Sequence, residues 1–181
     1  SRIARAGTHL VHCPTSNLKL SSGIADVWSM RRAGINVSLG ADGAACNNTL
    51  DIFQEMRLAG LLATYLHGPG TLSSADILDM ATRGGARALG WERDIGSLEA
   101  GKRADIVVLR LDRPHTLPAD GATLADRIVY SGRASDVEHV IVAGQLLVEN
   151  GRLVHGDWSS LAAEASQARA AVMQRAVLPT P

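Results

Sequence analysis

The chain has 181 residues, of which 46% are hydrophobic and 20% are charged, and its 18 basic residues balance 18 acidic ones. This length and composition predict a packed globular protein, and the balanced charge argues against a nucleic-acid partner. No apolar run approaches the roughly 20 residues that a bilayer-spanning helix needs, and the first ten residues lack the apolar core of a secretory signal. We therefore expect a cytoplasmic protein without a membrane partner.

The first part of the chain predicts two strands with a helix between them. After SRIARAG, which resembles the last turn of a helix, Thr8–Val11 is β-prone and leads into a polar loop in which Pro14 forbids a central strand. A helix is predicted from about residue 24 to residue 32, and a second strand covers 37–40. Strand, loop, helix and strand in about 30 residues have the length of one βαβ unit, which favours parallel strands.

The next segments predict helices. Residues 49–66, TLDIFQEMRLAGLLATYL, carry apolar side chains near helical spacing, and Asn48 or Thr49 is the expected N-cap. Ser73 stands three residues before an aspartate and predicts a capping box at the start of another helix. Gly84-Gly85 is predicted to break that helix and to precede a short one.

Beyond Asp94 the sequence changes to short β-prone runs punctuated by glycine, with Ala143-Gly144 as a predicted hairpin turn. The tail is predicted to be a helix from Asp157, its N-cap, to Val177. The predicted class is therefore α/β, and we divide the chain into three parts, residues 1–92, 93–155 and 156–181.

Asp42 lies directly after the second predicted strand, inside LGADGAACNN. Asp-Gly is a common turn pair, because aspartate bonds its own backbone and glycine tolerates positive φ. The carboxyl ends of parallel strands, however, are where α/β folds bind ligands. Ser16 and Asn17 follow the first strand and are expected at the same edge, either as a surface turn or as part of a pocket.

Three separated strings carry a family resemblance: HCPTSNLKLSSGIADV, GINVSLGADGAACNNTLDIFQEMRLAGLLA and ATRGGARALGWERDIGSLEAGKRADIVVL. They resemble the amidohydrolase superfamily, in the branch of 5'-methylthioadenosine/S-adenosylhomocysteine deaminases, triazine hydrolases and guanine-type deaminases. The resemblance covers about residues 6–151. It implies that 1–92 holds the last two βα units of a (β/α)8 (TIM) barrel, that 93–155 holds the C-terminal strands of a small β-sandwich, and that 156–181 is a closing helix.

The resemblance also implies a chemistry. Asp42 matches the metal ligand of barrel strand eight, which also moves a proton, and the metal is one divalent ion, zinc or alternatively iron. Such a metal activates water to remove an exocyclic amino group from a heterocyclic substrate, here a purine or adenine-nucleoside-like ring. The alternative is a triazine-type amino- or chlorohydrolase. The expected substrate-binding residues are Ser16, Asn17 and Cys46. Cys46 stands where serine is frequent in the family.

The sequence lacks the His-x-His by which the family binds metal, and one carboxylate cannot hold a catalytic zinc, which needs about three protein ligands. We therefore expect the chain to be inactive alone, and we expect the N-terminal part of the same enzyme to supply the histidine ligands. The enzyme is also expected to be a homo-oligomer. Two alternatives stay open. One is a non-catalytic α/β module that docks on a partner chain, and the other is a nucleophilic pair of His12 and Cys13, for which no third orienting group is evident.

Overall fold

The structure of the chain is a computed structural model that describes residues 2–176 as a mixed α/β protein. The helices are α1 Arg2–Arg5, α2 Pro14–Lys19, α3 Val27–Arg32, α4 Ile52–His67, α5 Ser74–Ala81, α6 Arg83–Leu89, α7 Leu124–Asp126 and α8 Trp158–Arg175. The strands are β1 His9–His12, β2 Asn36–Leu39, β3 Ile106–Leu109, β4 Val137–Val142, β5 Gln145–Glu149 and β6 Arg152–Leu153.

The predicted parallel pair is confirmed. β1 and β2 pair in parallel, with His9 opposite Asn36 and His12 opposite Leu39, and α3 lies between them in the chain. This helix begins at Val27 rather than near residue 24, because the Asp26 carboxylate accepts a hydrogen bond from the Ser29 amide at 3.1 Å and so caps the first turn. The carboxyl ends of both strands therefore lie at one edge.

The prediction of a loop after the first strand is wrong for six residues, since Pro14–Lys19 form α2. Proline at a first helical position loses no hydrogen bond, because the amide there has no intrahelical partner. The same proline that forbids a strand therefore begins a helix. This short helix lies at the sheet edge where both strands end, since its Ser16 contacts Asp42.

Two predictions about helix ends are also wrong. α4 is capped by Asp51, whose carboxylate accepts from the Phe53 amide at 2.9 Å, and not by Asn48 or Thr49. Gly84-Gly85 does not break a helix but lies inside α6, and the break falls at Thr82. The capping box that begins α5 at Ser73 is confirmed.

The core lies between the parallel strands and the helices that cover one of their faces. Val37 of β2 and Ile77 and Met80 of α5 are fully buried there. Because successive strand residues point to opposite faces, Leu10 packs against this core while the neighbouring Val11 is 58% exposed. One face of the two-stranded sheet is thus covered by helices, and the other is accessible at Val11.

The second sheet is antiparallel and has the order β3-β4-β5-β6. The predicted hairpin turn is confirmed, since Ala143 and Gly144 both have positive φ, 49° and 82°, between β4 and β5. The predicted cap of α8 is also confirmed, because the Asp157 carboxylate accepts from the Ser160 amide. The predicted helix end at Val177 lies outside the described residues. Among residues 2–176, no helix is both long and apolar enough to cross a membrane.

Candidate functional site at the carboxyl edge of the parallel strands

Asp42 follows β2 in a left-handed conformation, with φ of 61°, which aspartate tolerates better than most residues. Its Oδ1 accepts a hydrogen bond from the Gly43 amide at 2.7 Å, so the local bond expected of an Asp-Gly turn is present. The residue is nevertheless exposed. The turn and the ligand interpretations are therefore compatible, because the turn holds the carboxylate while leaving it accessible.

Ser16 is the long-range partner of this carboxylate. Its side chain is buried, with 3% of the residue exposed, and its hydroxyl donates to Asp42 Oδ2 at 2.5 Å across 26 positions of sequence. The Ser16 hydroxyl, followed by the Gly43 amide and the Cys46 thiol, holds the pKa of Asp42 below its ordinary value. Asp42 is therefore an anion at neutral pH, with the Ser16 hydroxyl on Oδ2 and the Gly43 amide on Oδ1.

The structure brings three of the four predicted site residues together. Ser16 and Cys46 both interact with the Asp42 side chain. Asn17 is the next residue of α2 after Ser16, and its side chain is partly buried. The predicted assembly of these residues at one edge follows from the parallel pairing of β1 and β2, which brings the segments after both strands to the same side.

His12 and Cys13 do not have the properties of a nucleophilic pair. His12 is 2% exposed, neither of its ring nitrogens has a hydrogen-bond partner among residues 2–176, and burial lowers its pKa to about 4. Burial, followed by the negative charges of Asp42 and Glu55, raises the pKa of the Cys13 thiol. At neutral pH the thiol is protonated, whereas a nucleophilic cysteine needs a lowered pKa.

Sequence reasoning did not single out Glu55 of α4, which the structure places beside the site. Glu55 is completely buried, and its two oxygens accept from the Thr15 amide at 3.1 Å and from Asn47 Nδ2 at 2.8 Å. Its spacing could have revealed the burial, because Glu55 stands one turn before the buried Ala59 and next to the buried Met56.

A catalytic metal needs more ligands than these residues offer. Within the part of the chain that the structure describes, no three histidine, cysteine, aspartate or glutamate side chains come close enough together to hold a metal ion. A catalytic zinc takes about three protein ligands. The chemistry of Asp42, an exposed and ionised carboxylate, fits one ligand of such a site, but the described residues do not fit a complete one.

Comparison with known proteins decides the family. The model of the amidohydrolase family matches residues 1–147. The chain belongs to the amidohydrolase family. The resemblance inferred from the three sequence strings is therefore confirmed. One relative of this amidohydrolase chain is the 5-methylthioadenosine/S-adenosylhomocysteine deaminase of Moorella thermoacetica, which is 46% identical over 152 residues. The match covers 83% of this chain and 35% of the relative.

Solved structures agree with this assignment. An adenosine deaminase from Xanthomonas campestris with bound zinc superposes with a TM-score of 0.89 at 39% identity, covering 94% of this chain and 39% of that one. The atrazine chlorohydrolase of Arthrobacter aurescens complexed with zinc has a TM-score of 0.81 at 34% identity, covering 91% and 36%. This amidohydrolase chain thus has the fold of the matched regions and spans well under half of each protein.

Proposed function

We propose that the chain is the C-terminal part of a metal-dependent amidohydrolase that hydrolytically deaminates a purine or adenine-nucleoside-like ring. The observation that carries the proposal is Asp42, an ionised and accessible carboxylate at the carboxyl end of a parallel strand, held by Ser16 and Gly43. The names of the relatives as deaminases support the reaction class. The bound zinc in two similar structures supports a divalent metal, zinc rather than the alternative iron.

In this proposal β1 and β2 are the last two strands of a (β/α)8 barrel, and the antiparallel sheet is a share of a β-sandwich. The N-terminal part of the same enzyme supplies the histidine ligands, since residues 2–176 hold no complete metal site and Asp42 is one ligand. We call the polypeptide or complex that includes both parts the full-length protein. The chain by itself is then inactive, because one carboxylate cannot retain a catalytic metal. The homo-oligomer and the cytoplasmic location remain predictions.

The divalent metal, when bound, acts as a Lewis acid and lowers the pKa of a bound water towards neutrality. Asp42 contributes one ligand and accepts a proton at a carboxylate oxygen, which it later returns to the departing amine. The donors from Ser16 and Gly43 keep this carboxylate ionised and fix its orientation. Asn17 and Cys46 remain the proposed substrate contacts. Ser16 was also predicted to contact the substrate, but it is buried and acts through its hydrogen bond to Asp42.

A triazine amino- or chlorohydrolase is the second candidate, supported by the similarity to the atrazine chlorohydrolase. The two reactions share the attack of activated water on a ring carbon and differ in the leaving group. The described residues around Asp42 are common to both proposals, so the substrate assay must distinguish them. A non-catalytic docking module is the third possibility, and it predicts a lone, metal-free chain.

The test uses the full-length protein, incubated with adenosine, methylthioadenosine, S-adenosylhomocysteine, guanine, 8-oxoguanine and triazines while ammonia and chloride release are measured. Asp42→Asn should lower kcat/KM at least about a hundredfold, because it removes the proton acceptor, and should lower the metal content. Asp120→Asn, at an exposed position far along the chain, is the control. A loss smaller than about tenfold would refute the role of Asp42.

A further inference from the structure

Glu55 of α4 is a buried carboxylate without a cationic partner. The residue is completely inaccessible, and none of the ion pairs among residues 2–176 includes it. Burying an unpaired carboxylate opposes folding unless hydrogen bonds compensate for the lost hydration. The position of Glu55 therefore calls for an explanation in its hydrogen-bond partners.

Those partners belong to the two segments that build the site. Glu55 Oε2 accepts from the amide of Thr15, in the segment after β1, and Oε1 accepts from Nδ2 of Asn47, in the segment after β2. Asn47 cannot turn its amide around, because its Oδ1 already accepts from the Thr49 and Leu50 amides. One helical side chain thus joins both segments with fixed hydrogen-bond directions.

Each of these two bonds holds a residue that is bonded or adjacent to a donor of the Asp42 carboxylate. Thr15 precedes Ser16, whose hydroxyl reaches Asp42 Oδ2. The Asn47 amide donates to the Gly43 carbonyl at 2.9 Å, and the Gly43 amide holds Asp42 Oδ1. Glu55 therefore connects the backbones that carry the two donors of the Asp42 carboxylate.

We propose that Glu55 is a positioning residue that sets the orientation of Asp42 by tying the segment after β1 to the segment after β2. The inference rests on the proposed function of Asp42. Glu55 does not touch the carboxylate of Asp42 in this scheme, and it acts through Thr15 and Asn47. Two other ties join the same segments. Gln54 of α4 donates to Thr15 Oγ1 at 3.2 Å and accepts from Thr49 Oγ1 at 3.3 Å. Lys19 Nζ donates to the Ala45 carbonyl at 2.8 Å and to Asn48 Oδ1 at 2.6 Å.

Glu55→Gln separates positioning from folding. Glutamine has the shape of glutamate but only one acceptor oxygen, so it cannot accept from both the Thr15 amide and the fixed Asn47 amide group. One tie is lost. The buried donor that faces the new amide group is left unpaired, which should lower the free energy of unfolding by about 1–3 kcal/mol. A purely structural glutamate and a positioning glutamate therefore predict different results for stability and turnover.

The experiment compares wild type, Glu55→Gln and the control Glu164→Gln, an exposed position of α8, in the full-length protein. It measures kcat, KM, the melting temperature, metal content and amide hydrogen exchange of residues 13–20 and 41–50. For Glu55→Gln we expect kcat to fall about 10- to 100-fold, as for other residues that orient a metal ligand. KM should change little, and exchange should be faster in both segments while the protein stays folded at the assay temperature. The control should match wild type.

The inference requires both faster exchange in the two segments and the loss of kcat at an assay temperature at which the variant is fully folded. A lower melting temperature that accounts for the lost activity would overturn it, and so would unchanged exchange or an unchanged kcat. If wild type releases no ammonia or chloride from any substrate, the proposed function fails. In that case the exchange data still report whether Glu55 ties the two segments.

Discussion

Gly84→Ala offers a quantitative test of how α6 packs on the strand that leads to the site. A Cβ at this glycine would lie 2.8 Å from the Val37 carbonyl of β2 and 3.1 Å from the Asp79 carbonyl of α5. Ordinary contact begins at 3.4 Å, so α6 must move by 3.4 minus 2.8, or 0.6 Å, from β2. Both obstacles are backbone atoms, and neither can turn aside as a side chain would.

Such overpacking costs about 1–3 kcal/mol. The neighbouring Gly85 provides a matched control, because a Cβ there meets nothing within 4 Å. Alanine gains about 0.5–1 kcal/mol over glycine within a helix, and this gain is common to both variants. The difference between Gly84→Ala and Gly85→Ala in the free energy of unfolding should therefore be about 1–3 kcal/mol from the overpacking alone.

Urea unfolding of the full-length protein, followed by circular dichroism, measures this difference. Gly85→Ala should be as stable as wild type or more stable, and Gly84→Ala should be the least stable of the three. Equal unfolding midpoints for the two variants would refute the reasoning, since they would mean that α6 does not approach Val37 as closely as the structure indicates.

Two further predictions concern the site itself. Ser16→Ala should lower kcat about 10- to 100-fold, because it removes the donor to Asp42 Oδ2. The control is Ser38→Ala, since Ser38 of β2 is equally buried and its hydroxyl donates to the Leu10 carbonyl. The control should retain activity within about threefold, and equal effects of the two substitutions would contradict the assignment. His12 has a folded-state pKa of about 4, so the unfolded chain binds more protons between pH 6.5 and 4. The free energy of unfolding should then fall by about 3 kcal/mol over this window as the pH is lowered. Denaturant unfolding at several pH values should show a smaller decline for His12→Leu, and an identical decline would exclude His12 as its source.

Local patterns predicted much of the fold correctly. The capping box at Ser73, the hairpin at Ala143-Gly144 and the cap at Asp157 each depend on residues close together in sequence. The parallel pair joins more distant residues, but the length of the βαβ unit predicted it. The errors arose where one residue type is compatible with two structures. Pro14 ends a strand but also begins a helix, and Gly84 serves close packing rather than a helix break.

The sequence by itself determined the family and the place of Asp42, because the motif strings and the end of a predicted strand are properties of contiguous residues. Only the tertiary structure decided which groups hold that carboxylate. The contacts of Ser16 with Asp42 and of Glu55 with Thr15 span 26 and 40 positions. They depend on the parallel register of the strands and on the packing of α4. The packing also decided which polar side chains are buried. Glu55 lies inside without a cationic partner, and burial keeps His12 neutral. The residue type alone does not predict this burial.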